Sequence, residues 1–95
     1  MLIYSIKLHG DDYKLKYPIE ILENESYVGG KLMYIVSVDD FRLLAIHDQL
    51  DIAKTTIQES LNSMIHSYLF EVDYIFPEAK KAVNLQKIIK EHVYG

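Results

Sequence analysis

The sequence predicts an α+β domain in which a small antiparallel sheet of three to five strands packs on one face against one main helix. Several segments alternate apolar and polar residues with the period of two that half-buried strands show. Residues 54 to 69 instead repeat apolar residues every three or four positions, as an amphipathic helix does. The expected order is β-β-β-α-β with a short C-terminal helix.

The first two predicted strands lie before residue 23. Alternation from Leu2 to Leu8 predicts a strand with one apolar face, formed by Leu2, Tyr4, Ile6 and Leu8. A turn at Gly10-Asp11-Asp12 leads into an extended run from Tyr13 to Leu22. Pro18 has no N–H, so it predicts an edge position or interrupted pairing there. The polar residues 23 to 26 predict a break.

Lys31 to Val38, directly after Gly29-Gly30, is the clearest strand. Its alternate residues Leu32, Tyr34, Val36 and Val38 form one apolar face. Met33 and Ile35, on the opposite face, are apolar too, so the strand is predicted to be covered on both sides at its centre. Phe41 to His47 is a further candidate strand, with a continuous apolar run at residues 43 to 46. It could also be an extended connection, as could Tyr13 to Leu22, so the strand number stays open.

The main helix is predicted from the spacing of six apolar residues: Ile57, Leu61, Met64, Ile65, Tyr68 and Leu69. Asp48 is the expected N-cap, with Asp51 in the first turn. Alternation from Phe70 to Phe76 predicts another strand. Pro77 can open a helix, and Asn84 can cap a second one from Leu85 to Val93. Residues 1–95 are predicted to form one domain, with 77–95 as a helical tail.

Composition excludes several functions. Hydrophobic residues make up 49% and charged residues 25%, the balance of a globular protein. The net charge of −4 and a single arginine, Arg42, argue against direct nucleic-acid binding and favour a basic partner. The chain shows no signal peptide and no membrane span, and the lack of cysteine fits a cytoplasmic location.

The segment from Tyr27 to Phe41, followed by His47-Asp48-Gln49-Leu50-Asp51-Ile52-Ala53 and the helix to Leu69, resembles the HicB-type antitoxin domain. The resemblance extends over residues 27 to 76, about half the chain. It implies a β-β-β-α-β domain that binds a small basic ribonuclease toxin and blocks its active site, often as a homo-oligomer. The chain departs from the family in lacking proline and glycine around Asp39-Asp40. It has His47 before the cap, where glycine is common, and no DNA-binding motif after Phe76.

No catalytic, cofactor-binding or metal-binding residues are predicted, and the protein is not expected to be an enzyme. The four histidines lack a recognisable ligand spacing, and each is read as an ordinary turn, strand-end or helix-surface residue: His9, His47, His66 and His92. Asp11-Asp12 and Asp39-Asp40 are read as turn residues rather than paired catalytic carboxylates. His47 beside Asp48 is the strongest candidate for chemistry.

Tyrosine is unusually abundant, with eight in the chain. Tyrosine suits protein interfaces because its ring supplies contact area while its hydroxyl stays hydrated, although aromatic residues also favour strands and cores. The interface residues predicted on this basis are Tyr13, Tyr17, Tyr74 and Phe76.

The leading functional hypothesis is a non-enzymatic module that neutralises a small basic protein and forms a homo-oligomer through exposed strand edges. An acidic, phage-type inhibitor that occupies a nucleic-acid site on a defence enzyme is the alternative. A small hydrolase using His47 and aspartate carboxylates is a third.

Overall fold

The computed structural model describes residues 1–71 and 74–87. In chain order its elements are β1 (Leu2–Leu8), β2 (Asp11–Glu20), β3 (Leu22–Val28), β4 (Lys31–Val38), a 3₁₀ turn (Asp39–Phe41), β5 (Leu43–His47), α1 (Leu50–Phe70), α2 (Pro77–Lys80) and β6 (Leu85–Lys87). The strands form two antiparallel sheets, a first sheet of order β1-β2-β6 and a second sheet of order β3-β4-β5. The α+β class is confirmed. There are two sheets rather than one, and five strands rather than three precede the main helix.

The first sheet begins with a two-residue hairpin turn at His9-Gly10. The pairing of β1 with β2 shifts register between Ile3 and Ser5. These two residues pair with Ile19 and Lys14, so β2 has more residues than β1 in this stretch. Ile3 packs on the core while Leu2 and Tyr4 are exposed, so the single apolar face predicted for β1 is wrong at those two residues. Pro18 lies in this irregular stretch, where its missing N–H is tolerated.

The second sheet starts immediately after the buried Ile21. Residues 23 to 26, predicted as a polar break, form the middle of β3, which pairs with β4 in an unbroken register from Leu22↔Ser37 to Val28↔Lys31. β3 is an edge strand, and an edge exposed to water does not need alternating apolar residues. The turn at Gly29-Gly30 has positive φ at both residues, and β4 has the predicted bounds.

Helix α1 joins the two sheets through one hydrophobic cluster. Its buried side chains recur with helical spacing at Ala53, Ile57, Leu61 and Ile65. It packs against β4, β5 and β1, and the cluster continues into α2 at Ala79. The predicted cap is wrong, because the N-cap is Gln49 and no side chain caps the helix. Asp48 forms an ion pair with Lys31 instead.

The chain after α1 differs from the prediction in two places. Phe70 ends the helix and residues 74 to 76 are not in a strand, so the strand predicted from Phe70 to Phe76 is wrong there; Val72 and Asp73 lie outside the described residues. Pro77 opens α2 as predicted.

The predicted helix after Asn84 is also wrong where the structure describes it. Residues 85 to 87 form β6, which pairs with β2 at Tyr13 to Leu15, so backbone pairing overrides the weak helical pattern. The remainder of the predicted tail helix, 88 to 93, lies outside the described residues. Within the described part of the chain, no helix is long and apolar enough to cross a membrane.

Candidate protein-interaction surface

The second sheet has two faces that can be assigned from its register. Residues directly opposite one another in an antiparallel pair share a face. Val36 and Val38 are 0% and 1% exposed, so their face is the inner one. Ala45 and Leu43 of β5 pair with these two valines and also pack on the core. Helix α1 packs against β4 and β5 and covers this inner face.

The outer face of the second sheet is also apolar. By the same register it carries six apolar side chains from three strands: Leu22, Val28, Met33, Ile35, Leu44 and Ile46. Val28, Leu44 and Ile46 are 60%, 63% and 51% exposed. The other side chains on this face are small and uncharged, except for the charged Lys31 at one end. We call this surface the outer face below.

The carboxylates of the second sheet lie on its inner side and beyond its ends, because Glu23 and Glu25 of β3 pair with Val36 and Tyr34. β3 carries Glu23 and Glu25 and no lysine or arginine, and β5 has neither basic residue. Glu23 lies 3.1 Å from Lys54 Nζ of α1 and thereby ties the edge strand to the helix. Two further carboxylates, Asp39 and Asp40, follow the end of β4. On the outer face itself the only charged side chain is that of Lys31.

Lys31 is the only lysine or arginine in the three strands of the second sheet. Its Nζ lies 2.7 Å from Asp48 Oδ2. The hydrogen bond from Lys31 lowers the pKa of Asp48 below its ordinary value, and the positive charge of Lys31 acts in the same direction. The one cation of the outer face is thus paired with a carboxylate of the same chain.

The four predicted interface residues lie elsewhere. Tyr13 is half-buried and packs on the core, which matches the alternative interpretation that it is a packing residue. Tyr17 and Tyr74 are 49% and 74% exposed, and Phe76 is half-buried. That these residues contact a partner stays a prediction.

Tyr74 and Phe76 belong to a small cluster around Arg42. The two aromatic rings meet edge to face with centroids 5.8 Å apart, and the Arg42 guanidinium stands 4.1 Å from the Phe76 centroid. Arg42 also reaches Glu78, at 3.8 Å. Glu78 and Tyr17 line one open cavity of about 370 Å³, so α2 brings Tyr17 near this cluster although it is distant in sequence.

His47 and Asp48, the residues considered for hydrolysis, make local contacts at the start of α1. His47 Nδ1 lies 3.0 Å from the backbone N of Gln49 and 2.9 Å from Asp48 Oδ1. An unprotonated Nδ1 accepts the Gln49 N–H, whereas a protonated one donates to the carboxylate. Both arrangements order the residues that precede the helix. Across the described ranges, no three His, Cys, Asp or Glu side chains form a group that could hold a metal ion.

The outer face was not among the predicted site residues, yet the sequence contains its signal. Met33 and Ile35 make β4 apolar on both sides, and the run from Leu43 to Ile46 does the same for β5. Such strands are normally covered on both faces. In this structure α1 covers one face, and the other is open to solvent at Leu44 and Ile46.

Comparison of the chain with protein-family models, with curated proteins and with solved structures finds no match.

Proposed function

We propose that this protein is a non-enzymatic binding module that docks a basic protein on the outer face and neutralises it in the cytoplasm. The observation that carries the proposal is the exposure of Leu44, Ile46 and Val28 on a sheet whose other face packs against α1. Scattered exposed apolar residues are ordinary, but a contiguous apolar patch on one sheet face is typical of an interaction site.

The size of the outer face indicates how a partner must bind. Three strands spaced about 4.8 Å apart and about seven residues long give a face of roughly 300 Å². A stable interface buries about 800 Å² on each side, so a partner seated here must also contact the border. Asp39 and Asp40 follow the end of β4, and the whole chain carries a net charge of −4. Lysine and arginine at the rim of the partner complement both features.

The resemblance to HicB-type antitoxins supports the same class of partner, because that family binds small basic ribonucleases. On this proposal the outer face covers an apolar patch of the toxin while Asp39 and Asp40, beyond the end of β4, face its basic surface. Charge complementarity of this kind raises the association rate and makes it sensitive to salt.

A matched pair of variants tests the proposal. Leu44→Ser with Ile46→Thr removes apolar area from the outer face, whereas Tyr4→Ser changes a side chain of the first sheet that is 62% exposed. The wild-type chain and both variants are tagged and used to capture proteins from the native host. Each captured protein is identified, purified and titrated by calorimetry.

We expect a basic partner whose affinity falls at least about tenfold with the outer-face variant and is unchanged with Tyr4→Ser. Affinity should also fall with rising salt. An acidic partner, or equal binding by all three chains, would contradict the proposal. A homodimer that the outer-face variant dissociates would also contradict it, because the occupant would then be a second copy.

A further inference from the structure

The first hairpin and helix α1 bring together two histidines that are 57 positions apart in the chain. His9 Nε2 and His66 Nε2 are 2.6 Å apart. The two rings lie 4.4 Å apart between centroids, and Phe70 contacts both, at 5.1 Å and 5.0 Å. The two Nε2 atoms therefore face each other at hydrogen-bond distance, and Phe70 lies beside both rings.

A carboxylate stands behind one of the histidines. Glu71 Oε1 lies 3.9 Å from His66 Nδ1, on the side of the ring opposite Nε2. Ser67 Oγ donates a hydrogen bond of 3.1 Å to the other oxygen of Glu71 and fixes the carboxylate. At 3.9 Å the carboxylate is beyond hydrogen-bond reach of Nδ1, but a rotation of its exposed side chain would place it where a carboxylate orients a metal-binding histidine.

The backbone places His9 here at a cost. His9 has φ 51°, in the left-handed region, and it is followed by Gly10 at φ 79°. A two-residue hairpin turn with both φ positive favours Asn-Gly most strongly, and histidine tolerates this region better than most side chains without being its first choice. The corresponding turn of the second sheet uses Gly29-Gly30. A strained residue beside a second histidine indicates a role for its side chain.

We infer that His9 and His66 bind a divalent transition-metal ion of the Zn²⁺ class through their Nε2 atoms. Neutral imidazole is a ligand that Zn²⁺, Cu²⁺ and Ni²⁺ prefer, and Mg²⁺ does not. Tetrahedral Zn²⁺ with Zn–N bonds of about 2.05 Å requires the two nitrogens to be about 3.3 Å apart. Small rotations of the two partly exposed rings provide that separation.

The remaining coordination positions belong to water. The histidines line an open cavity of about 400 Å³ together with Asn62, Ser63 and Lys7, which leaves room for a hydrated ion. Because only two protein ligands contribute, the site is a weak one that ties the first hairpin to α1 and stabilises the fold when metal is present. It is independent of the outer face and of the proposed partner.

Thermal unfolding of the untagged full chain at neutral pH, with Zn²⁺ as the probe, tests the site. At about 0.5 mM Zn²⁺ we expect the melting temperature to rise by at least about 4 °C, as a dissociation constant near 0.1 mM produces in a domain of this size. Calorimetric titration should give one Zn²⁺ per chain, and the same concentration of Mg²⁺ should produce no shift.

Four variants separate metal binding from folding. His9→Asn suits the turn and keeps the fold, yet it should abolish the Zn²⁺ shift, as should His66→Gln. Glu71→Gln should weaken binding about tenfold while both histidines remain. His47→Gln, at the end of β5, should retain the full shift. An absent shift in the wild type, or a shift that survives His9→Asn, would overturn the inference and leave a hydrogen-bonded histidine pair.

Discussion

The inner faces of the two sheets are similar, and their outer faces differ in the side chains they expose. Inside, both contribute aliphatic side chains to one cluster, such as Leu15 of the first sheet and Val36 of the second. Outside, the first sheet exposes Lys7, Lys14 and Lys16, together with Leu2 and Tyr4 near one end. The second sheet exposes an apolar outer face instead. Burial within the chain explains the inner faces, and the proposed partner would account for the difference between the outer ones.

The largest expected effect comes from replacing the same residue type on an inner and an outer face. Leu15 is 3% exposed and Leu44 is 63% exposed. Leu15→Ala leaves a cavity and should cost about 2–5 kcal/mol of unfolding free energy. Leu44→Ala touches no core contact and should change it by less than about 0.5 kcal/mol. Urea unfolding of the two variants at equal protein concentration gives both values.

A Leu44→Ala cost close to that of Leu15→Ala would break the comparison. It would mean that the outer face is covered in solution, and a second copy would reveal itself as a dependence of the urea midpoint on protein concentration.

The two hairpin turns give a smaller effect and a built-in control. Gly30 and Gly10 occupy the second turn position of their hairpins, with φ 81° and 79°. An added Cβ would meet no atom within 4 Å at either glycine, so substitution acts through the backbone alone. Gly30→Ala and Gly10→Ala should each cost about 1–2 kcal/mol.

Thermal unfolding of these two glycine variants, with a shift of roughly 4–8 °C per kcal/mol, measures both costs. Equal shifts would confirm that the hairpins are equivalent in backbone and differ only in the side chain at the first turn position. A clearly larger shift for Gly10→Ala would show that the turn geometry at His9 is under additional strain.

The same contrast explains which elements the sequence predicts. The bounds of β4 are predicted from an apolar run between two turns, and the body of α1, though not its N-cap, from the helical spacing of its buried residues. β3 is missed because an exposed edge strand can carry Glu23, Asn24 and Glu25 without cost. β6 is missed because its three residues take their conformation from backbone bonds to β2, which leave no pattern in sequence.

The candidate surface is predictable only in part. Met33, Ile35 and the run through Leu44 and Ile46 show that both sides of the second sheet are apolar. Which side α1 covers depends on the packing of the whole chain, so sequence alone does not identify the exposed side. Similarly, nothing in the spacing of His9 and His66 indicates that the first hairpin reaches the last turns of α1.

The smallest expected effect concerns the one cation of the second sheet. The hydrogen bond from Lys31 lowers the pKa of Asp48 in the folded chain relative to the unfolded chain. The pair therefore stabilises the fold at pH values above the ordinary aspartate pKa, and this contribution is lost as the pH falls through the lowered value. Asp48→Asn should reduce the urea midpoint slightly at about pH 7 and approach the wild type at about pH 2, where protonation makes the aspartate neutral as well.

Lys31→Met is the matched control for that experiment. Because it removes the cause of the lowered pKa, the Asp48→Asn substitution should have little effect at neutral pH when it is made in the Lys31→Met background. Salt near 1 M should shrink the effect of Asp48→Asn in the wild-type background, since both side chains are partly exposed. A difference between wild type and Asp48→Asn that persists at low pH would show that Asp48 acts by shaping the start of α1, beside His47, and not by neutralising the only cation of the outer face.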